Sequence, residues 1–355
     1  MIVLRPAQTL IAEPPQSMKV TIVDVAKTAG VSTATVDRVV NSRNGVKART
    51  RDHVITVAQR LGYPLPSANN PASFAPVVLD FVLPGGTNTY INDLAKMLER
   101  GTEAATNVRS RVHQIEGLNS DALAEKMRSL RNQTQGVGII ALDHPNVREA
   151  IRELNAANVP VLTMVSDIPG VPRIGYVGID NRSAGRLAGH LLGRLMRGTP
   201  EKVALFAGSL SYRGHEEREM GFRHIFAEEF PHMEVLQSRE SLDDFQRGYR
   251  EAKALLEAHP DVGGIYNVGG GNRGIAQALE ESKKAKEVVF GAHELTEHTR
   301  RFLLSGVIDF LIDQNPVQEA RESIVALAQA ARRQPIDAFA LSIRMQILFR
   351  ENISA

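Results

Sequence analysis

The chain has 355 residues, too many for one compact domain, and predicts two or three. It contains no Cys, which excludes a disulfide framework and any thiolate-bound metal and fits a reducing cytoplasm. No apolar run approaches the ~18 residues of a membrane-spanning helix, so a membrane is not an expected partner. The net charge of +2 is unevenly spread: residues 19–63 hold eight Lys or Arg against three Asp, a local +5. A basic head on a slightly acidic body points to a nucleic-acid module attached to something that does not bind nucleic acid.

Residues 1–17 have too short an apolar core, and no convincing cleavage site, for a signal peptide; a disordered tail is expected. The stretch 21–41, T-I-V-D-V-A-K-T-A-G-V-S-T-A-T-V-D-R-V-V-N, follows a 3.6-residue period and predicts two short helices joined by a tight turn. Thr21 caps the first, Asp24 favours its positive end, and Val25, Ala26 and Ala29 form its apolar side. Gly30 supplies the positive-φ position at which that helix stops. Ser32 caps the second helix, whose stripe is Val36, Val39 and Val40, leaving Thr33, Ala34, Asp37 and Arg38 outward. Helices this short are unstable alone. A third is expected, capped by Thr50, with Val54, Ile55, Ala58 and Leu61 as its stripe. This is a helix-turn-helix unit whose second helix is offered to a DNA major groove. In the connection before helix three, Asn44-Gly45 reads as a turn, and Arg43, Lys47, Arg49 and Arg51 are placed for phosphate contacts, or form a solvated basic loop.

T-I-V-D-V-A…A-G-V-S-T-A-T-V-D-R-V-V-N, followed by T-R and L-G-Y, resembles the DNA-binding head of the LacI-type bacterial regulators over nearly all of 19–63. A plain three-helix bundle explains the apolar stripes but not the hydroxyl residues and Arg on the exposed side of helix two. The resemblance sets the DNA-binding domain at 18–63 and leaves Met1 or Met18 as the start. It implies an operator-facing set of Thr21, Ser32, Thr33, Ala34, Thr35, Asp37, Arg38 and Asn41, with Arg43, Lys47, Arg49 and Arg51 on phosphates. Thr33 and Ala34 would meet base edges through their methyl groups, and Arg38 a guanine or phosphate. Asp37 replaces a hydroxyl residue common in the family, so operator preference should differ from that of relatives.

Residues 64–76 form a linker with four prolines. In the resembled family this segment carries A-R-x-L and folds on DNA into a hinge helix whose Leu wedges the minor groove. Here Pro71 and Pro76 disfavour a helix, and Leu65 is the only aliphatic wedge.

From Val77 to the C-terminus, continuous apolar strands alternate with helices, which predicts parallel sheets covered on both faces. A helix is expected over 91–105, another over 220–230, and a final strand within 340–353. Two such runs, broken near 190–200 and rejoined near 294–300 and 315–325, predict two α/β lobes around a cleft. The resemblance implies the same: a periplasmic-binding-protein-like effector domain over 77–355, with strand ends lining the cleft.

Family likeness assigns the cleft candidates. Asp167 stands where sugar-binding relatives place an Asp that accepts two hydroxyls, and Arg218, three residues before Gly221-Phe222, where an Arg reaches ligand. Arg213 lies in the same segment; Asn267, Glu294 beside His293, and Gln314 beside Asp313 occupy strand ends with polar contacts in relatives. Tyr90 could stack on an apolar sugar face. Against these, Asp180-Asn181 reads as structural, and Glu216, Glu217 and Glu219 as members of helical ion pairs.

G-G-G-N-R-G at 269–274 is not a dinucleotide fingerprint, the ten His form no metal spacing, and no nucleophile elbow is present; no cofactor, metal or catalysis is expected. The reading is a cytoplasmic, ligand-responsive regulator, a repressor of carbohydrate or polyol genes. Its partners are a palindromic operator, a small effector (sugar, polyol or sugar acid) and a second copy of itself. A sugar-binding receptor and a cleft enzyme remain the alternatives.

Overall fold

The computed structural model describes residues 20–40, 45–63, 76–196, 202–209 and 211–353. The chain divides into two compact units, 1–74 and 75–355. In the first, helices α1 (Ile22–Ala29), α2 (Thr33–Val40) and α3 (Ala48–Leu61) enclose Val25, Ala26, Ala29, Val36, Val39, Val54, Val57 and Ala58. Thr21 and Asp24 cap α1 reciprocally. The Thr21 amide donates to Asp24 Oδ2 at 2.8 Å, and the Asp24 amide donates to Thr21 Oγ1 at 3.4 Å. Gly30, at φ 65°, closes the helix, and Ser32 Oγ accepts from the Thr35 amide at 3.1 Å to open α2. Thr50 is not the cap of α3: the helix begins at Ala48, and the Lys47 carbonyl accepts from the amides of Thr50 and Arg51. The expected tail and hinge, including Leu65 and Pro71, lie outside the described residues.

In the second unit one sheet contains β1 (Val77–Gly85), β2 (Val108–Glu116), β3 (Gly136–Ile139), β4 (Val161–Met164) and β5 (Gly175–Val177), all parallel, in the order β2-β1-β3-β4-β5. Helices α4 (Thr89–Arg100), α5 (Ser120–Ser129) and α6 (Pro145–Ala156) connect them. The other sheet holds β6 (Lys202–Ala207), β7 (Glu234–Val235), β8 (Arg239–Glu240), β9 (Val262–Asn267), β10 (Val289–His293), β11 (Phe310–Asp313) and β12 (Gln346–Leu348). Its order is β12-β11-β10-β9-β6-β7, with β8 also on β6 and only β12 antiparallel. Helices α7 (Asn181–Leu195), α8 (Arg213–Glu229), α9 (Phe245–Ala258), α10 (Asn272–Glu281) and α11 (Glu297–Ser305) belong to this lobe, while α12 (Pro316–Ala331) returns to cover the first sheet. Among the described residues no helix is long and apolar enough to cross a membrane.

The chain passes between lobes at 178–181, 313–316 and 341–346, not near 190–200 or 294–300: α7 already packs on the second sheet, and both β10 and α11 stay in it. Gly178 and Leu341–Ile343 hold two crossings side by side, with Gly178 donating to the Leu341 carbonyl and accepting from the Ile343 amide. The helix expected over 91–105 stops at Gly101, whose φ of 74° ends it. The helix expected from 220 begins at Arg213, which places Arg218 inside α8.

Helices α7 and α8 approach closely because Gly185, Gly189 and Gly193 repeat at one-turn spacing on the contact face. A Cβ at Gly185 would stand 1.9 Å from the Arg218 carbonyl oxygen. Ala is better than Gly in a helix by about 1 kcal/mol, but inserting a methyl group against backbone costs about 1–3 kcal/mol or more. Gly185→Ala is therefore expected to destabilise the effector unit, lowering the midpoint of its urea transition without loss of its cooperativity.

Candidate functional site

A cavity of about 250 Å3 opens where the strands of both sheets end. The first lobe contributes Asn88 to Ile91 at the start of α4, and Val165 and Ser166 after β4. The second contributes Tyr212, His215 and Arg218 of the α8 region, Asp243, Phe245, the turn 269–273, and His293, Glu294 and Thr299. Gln314 enters from the crossing after β11. Hydrogen bonds span the cleft: Asn88 Nδ2 donates to Asp243 Oδ2 at 3.3 Å, and the Gly214 amide to Ser166 Oγ at 3.2 Å.

Arg218 is only 3% exposed. Its Nε donates to Asn181 Oδ1 at 2.7 Å and its Nη1 to the Val268 carbonyl at 2.8 Å; both acceptors are neutral. Among the described residues no carboxylate pairs with it. Asn181 is held in turn by donation to the Tyr176 hydroxyl at 3.1 Å.

The carboxyl groups nearby are unusual. Glu294 accepts from Gln314 Nε2 at 2.5 Å, and burial, followed by repulsion from Asp313, pushes its pKa up to about 8 despite the pull of Arg218. Burial likewise raises Asp313, although it accepts from the Leu295 and Asn315 amides at 2.9 Å. Glu319, on α12, accepts from the Tyr90 hydroxyl and is raised well above the usual carboxylate range, again mainly by burial. His293 is held well below the ordinary imidazole value by burial and then by Arg218; its Nε2 lies 2.7 Å from the Tyr266 hydroxyl.

Three cavity residues occupy the left-handed backbone region: Val165 at φ 63°, Asp243 at 55° and Glu294 at 71°. Each costs of order 1–3 kcal/mol for a residue with a Cβ, and Val165 is β-branched. Such strain persists where surrounding structure over-determines it, as it does at binding sites.

Of the cleft candidates, Tyr90, Arg218, Glu294 and Gln314 line the cavity. Tyr90 is no free stacking platform, since it is 6% exposed and its hydroxyl is committed to Glu319. Three others do not line it and are corrected. Asp167 is ion-paired with Arg173 and accepts from Thr163 Oγ1 at 2.7 Å, so its neighbour Ser166 faces the cavity instead. Arg213 bonds Glu217 at 2.7 Å, one turn along α8. Asn267 is fully buried and shapes the glycine turn, donating to the Gly269 and Gly270 carbonyls at 3.1 and 2.7 Å. The expected ion pairs on α8 form between Arg213 and Glu217 and between Glu219 and Arg223, leaving Arg218 out. The sequence reading missed Asn88, Asp243 and His215 as lining residues and Asn181 as the support of Arg218. Asn181 and Arg218 stand on different helices, 37 residues apart in sequence, and no spacing announces their contact.

On the head, Thr33, Ala34 and Arg38 are exposed along α2, as are Lys47 and Arg49 beyond it; Thr35, Asp37 and Arg51 are half-buried. Thr21 and Ser32 are exposed but committed locally, Thr21 to Asp24 and Ser32 to the Thr35 hydroxyl at 2.9 Å. Asn41 and Arg43 lie outside the described residues.

Residues 21–65 match the family described as bacterial regulatory proteins, lacI family, and residues 77–335 match a periplasmic binding protein domain. Catabolite control protein A of Staphylococcus xylosus is 32% identical over 251 residues, covering 69% of this chain and 73% of the relative. The chain belongs to the lacI family of bacterial regulatory proteins. It is a ligand-responsive, DNA-binding transcriptional regulator. Catabolite control protein A of Priestia megaterium is 28% identical over 282 residues, 78% of this chain and 75% of the relative. In fold, the effector unit of this lacI-family regulator is similar to GanP, a glucose-galactose binding protein from Geobacillus stearothermophilus. That match has TM-score 0.70 and 22% identity, over 79% of this chain and 99% of the other. A solute binding protein from Agrobacterium radiobacter in complex with D-arabinose matches with TM-score 0.72 and 17% identity, over 79% and 97%.

The raised Glu294 has a consequence for stability. In the unfolded chain it gives up its proton near 4.5, but in the folded protein only near 8, so between these values the unfolded state binds fewer protons. Stability from this group is complete below about pH 4.5 and is lost as pH rises to about 8. The melting temperature of the wild type should fall across that window, and Glu294→Gln should flatten the fall, as thermal unfolding at a series of pH values would show.

Proposed function

We propose that this regulator represses genes of carbohydrate or polyol use in the cytoplasm. It binds a palindromic operator as a homodimer and responds to a small hydroxylated metabolite held between the lobes. The observation that carries this reading is one chain combining a basic helix-turn-helix with a cavity between two α/β lobes that Arg218, Glu294 and Gln314 line. The names of its relatives and the sugars bound by its structural neighbours support the ligand class. In the proposed complex α2 lies in the major groove, with Thr33 and Ala34 on base edges and Arg38 on a guanine. Lys47, Arg49 and Arg51 neutralise phosphates. Ligand binding shifts DNA affinity by its differential affinity for two lobe arrangements.

Gel shifts against genomic fragments test the DNA half. Arg38→Ala should bring operator affinity down to that for random duplex while the ligand-induced rise in melting temperature is kept; retained discrimination would defeat the assignment. Lys47→Ala should weaken operator and random duplex alike and reduce the slope of log affinity against log salt by about 0.9. Recovery of unaltered ligand after prolonged incubation separates a regulator from a cleft enzyme.

A further inference from the structure

We propose that the effector of this chain carries an oxyanion on a hydroxylated carbon skeleton, a sugar acid or a sugar phosphate, with the oxyanion seated on Arg218. The inference rests on the cleft being the effector site. A buried guanidinium is costly unless paired with opposite charge, yet the partners of Arg218 are an amide oxygen and a peptide carbonyl, which bond it without neutralising it. The acids close enough to act on it are occupied elsewhere: Glu294 accepts from Gln314, and Glu319 from Tyr90. Burial raises both carboxyl groups, Glu294 to about 8, which weakens the negative charge either offers Arg218. The Asp243 carboxylate on the cavity wall is taken by the Gly270 amide at 2.6 Å and by Asn88. Among the described residues the wall thus leaves the Arg218 guanidinium without a carboxylate partner.

Two further features have the same sense. Helix α10 opens at Gly271, φ 84°, with no side-chain cap among the described residues, and its first residues, Asn272 and Arg273, line the cavity. Its positive end therefore faces the space that Arg218 faces. Gln314 Oε1 is buried in the same wall without a hydrogen-bond partner, an acceptor that a ligand hydroxyl would satisfy. The cavity, about 250 Å3, lies below the ~300–1,000 Å3 of drug-sized sites, which restricts the ligand to a small metabolite.

The test compares matched ligands on the full chain by titration calorimetry and thermal shift: glucose and glucitol, glucuronate and gluconate, glucose 6-phosphate, and sulfate alone. At least one oxyanion member should bind ten times more tightly than its neutral counterpart, and the carboxylate and phosphate arms identify which oxyanion is meant. Arg218→Gln should abolish that preference, and Gln314→Leu should weaken the hydroxylated anions while leaving sulfate binding unchanged. The wild-type comparison needs no variant, so it stands even if Arg218→Gln does not fold. Equal or tighter binding of the neutral sugars, or no binding of any oxyanion probe, overturns the proposal. Gel shifts on the same samples separate the two readings: a neutral ligand that alters operator retention sinks only the oxyanion, whereas no promoter preference under any condition sinks the regulator reading.

Discussion

Taking a guanidinium out of water costs several kcal/mol unless it is paired and its donors are met, and the effector unit meets part of that demand at Arg218, at Nε and Nη1, with elements from distant parts of the chain. The missing Cβ of Gly185 lets α8 settle against α7, which brings Arg218 beside Asn181, the first residue of α7. Asn181 is fixed there because the chain has just crossed between lobes and Tyr176, at the end of the first sheet, accepts its amide. From the other side, Asn267 ties down the turn after β9 while the Val268 carbonyl faces Nη1. Removing any one of these contacts strands a buried charge, so they are interdependent rather than additive.

The same region lies between the two lobes. Among the described residues, the polar contacts across the cleft mouth are single hydrogen bonds such as Asn88 to Asp243, each worth about 0.5–1.5 kcal/mol net. One hydrophobic cluster runs from the first sheet into the second lobe, where Leu205, Tyr266 and Phe310 join it, and another fills the rest of the second lobe. A ligand touching both walls has to favour one arrangement by only about 1–3 kcal/mol to alter function measurably. The left-handed backbone at Val165, Asp243 and Glu294 fits this economy: conformations costly in isolation are kept at positions where both lobes present groups to the cavity.

How much of this was legible in the sequence follows from what each feature depends on. The head was readable almost residue by residue, since caps, turn and stripe are local; only the start of α3 moved, because a backbone carbonyl, not a side chain, opens it. The two lobes were readable from buried apolar strands, but β2 was passed over. It is an edge strand, R-S-R-V-H-Q at its centre, whose Arg111 and His113 turn to the buried Asp80. The cleft was half legible. Glu294 and Gln314 follow strand ends and Arg218 lies inside α8, positions that motif and likeness could mark. Asp167 lies three residues past the end of β4, where Arg173 and Thr163 engage its carboxylate, a tertiary pairing that likeness did not show. Asn181 and Asp243 owe their roles to tertiary approach alone.

The head carries a different constraint. Its core is built from Val and Ala, with no aromatic among its fully enclosed residues, and its helices run 8, 8 and 14 residues. A unit of that size buries a smaller fraction of its apolar surface than a larger domain does. Whatever binds the folded head and not the unfolded one adds RT ln(1 + [L]/Kd) to its stability, and for a basic helix-turn-helix the strongest such ligand is DNA. Order in the reader and occupancy of its site are therefore one equilibrium. An effector that disfavours the DNA-bound arrangement lowers the occupancy of the site by its coupling free energy, and the stability that DNA adds to the head falls with it.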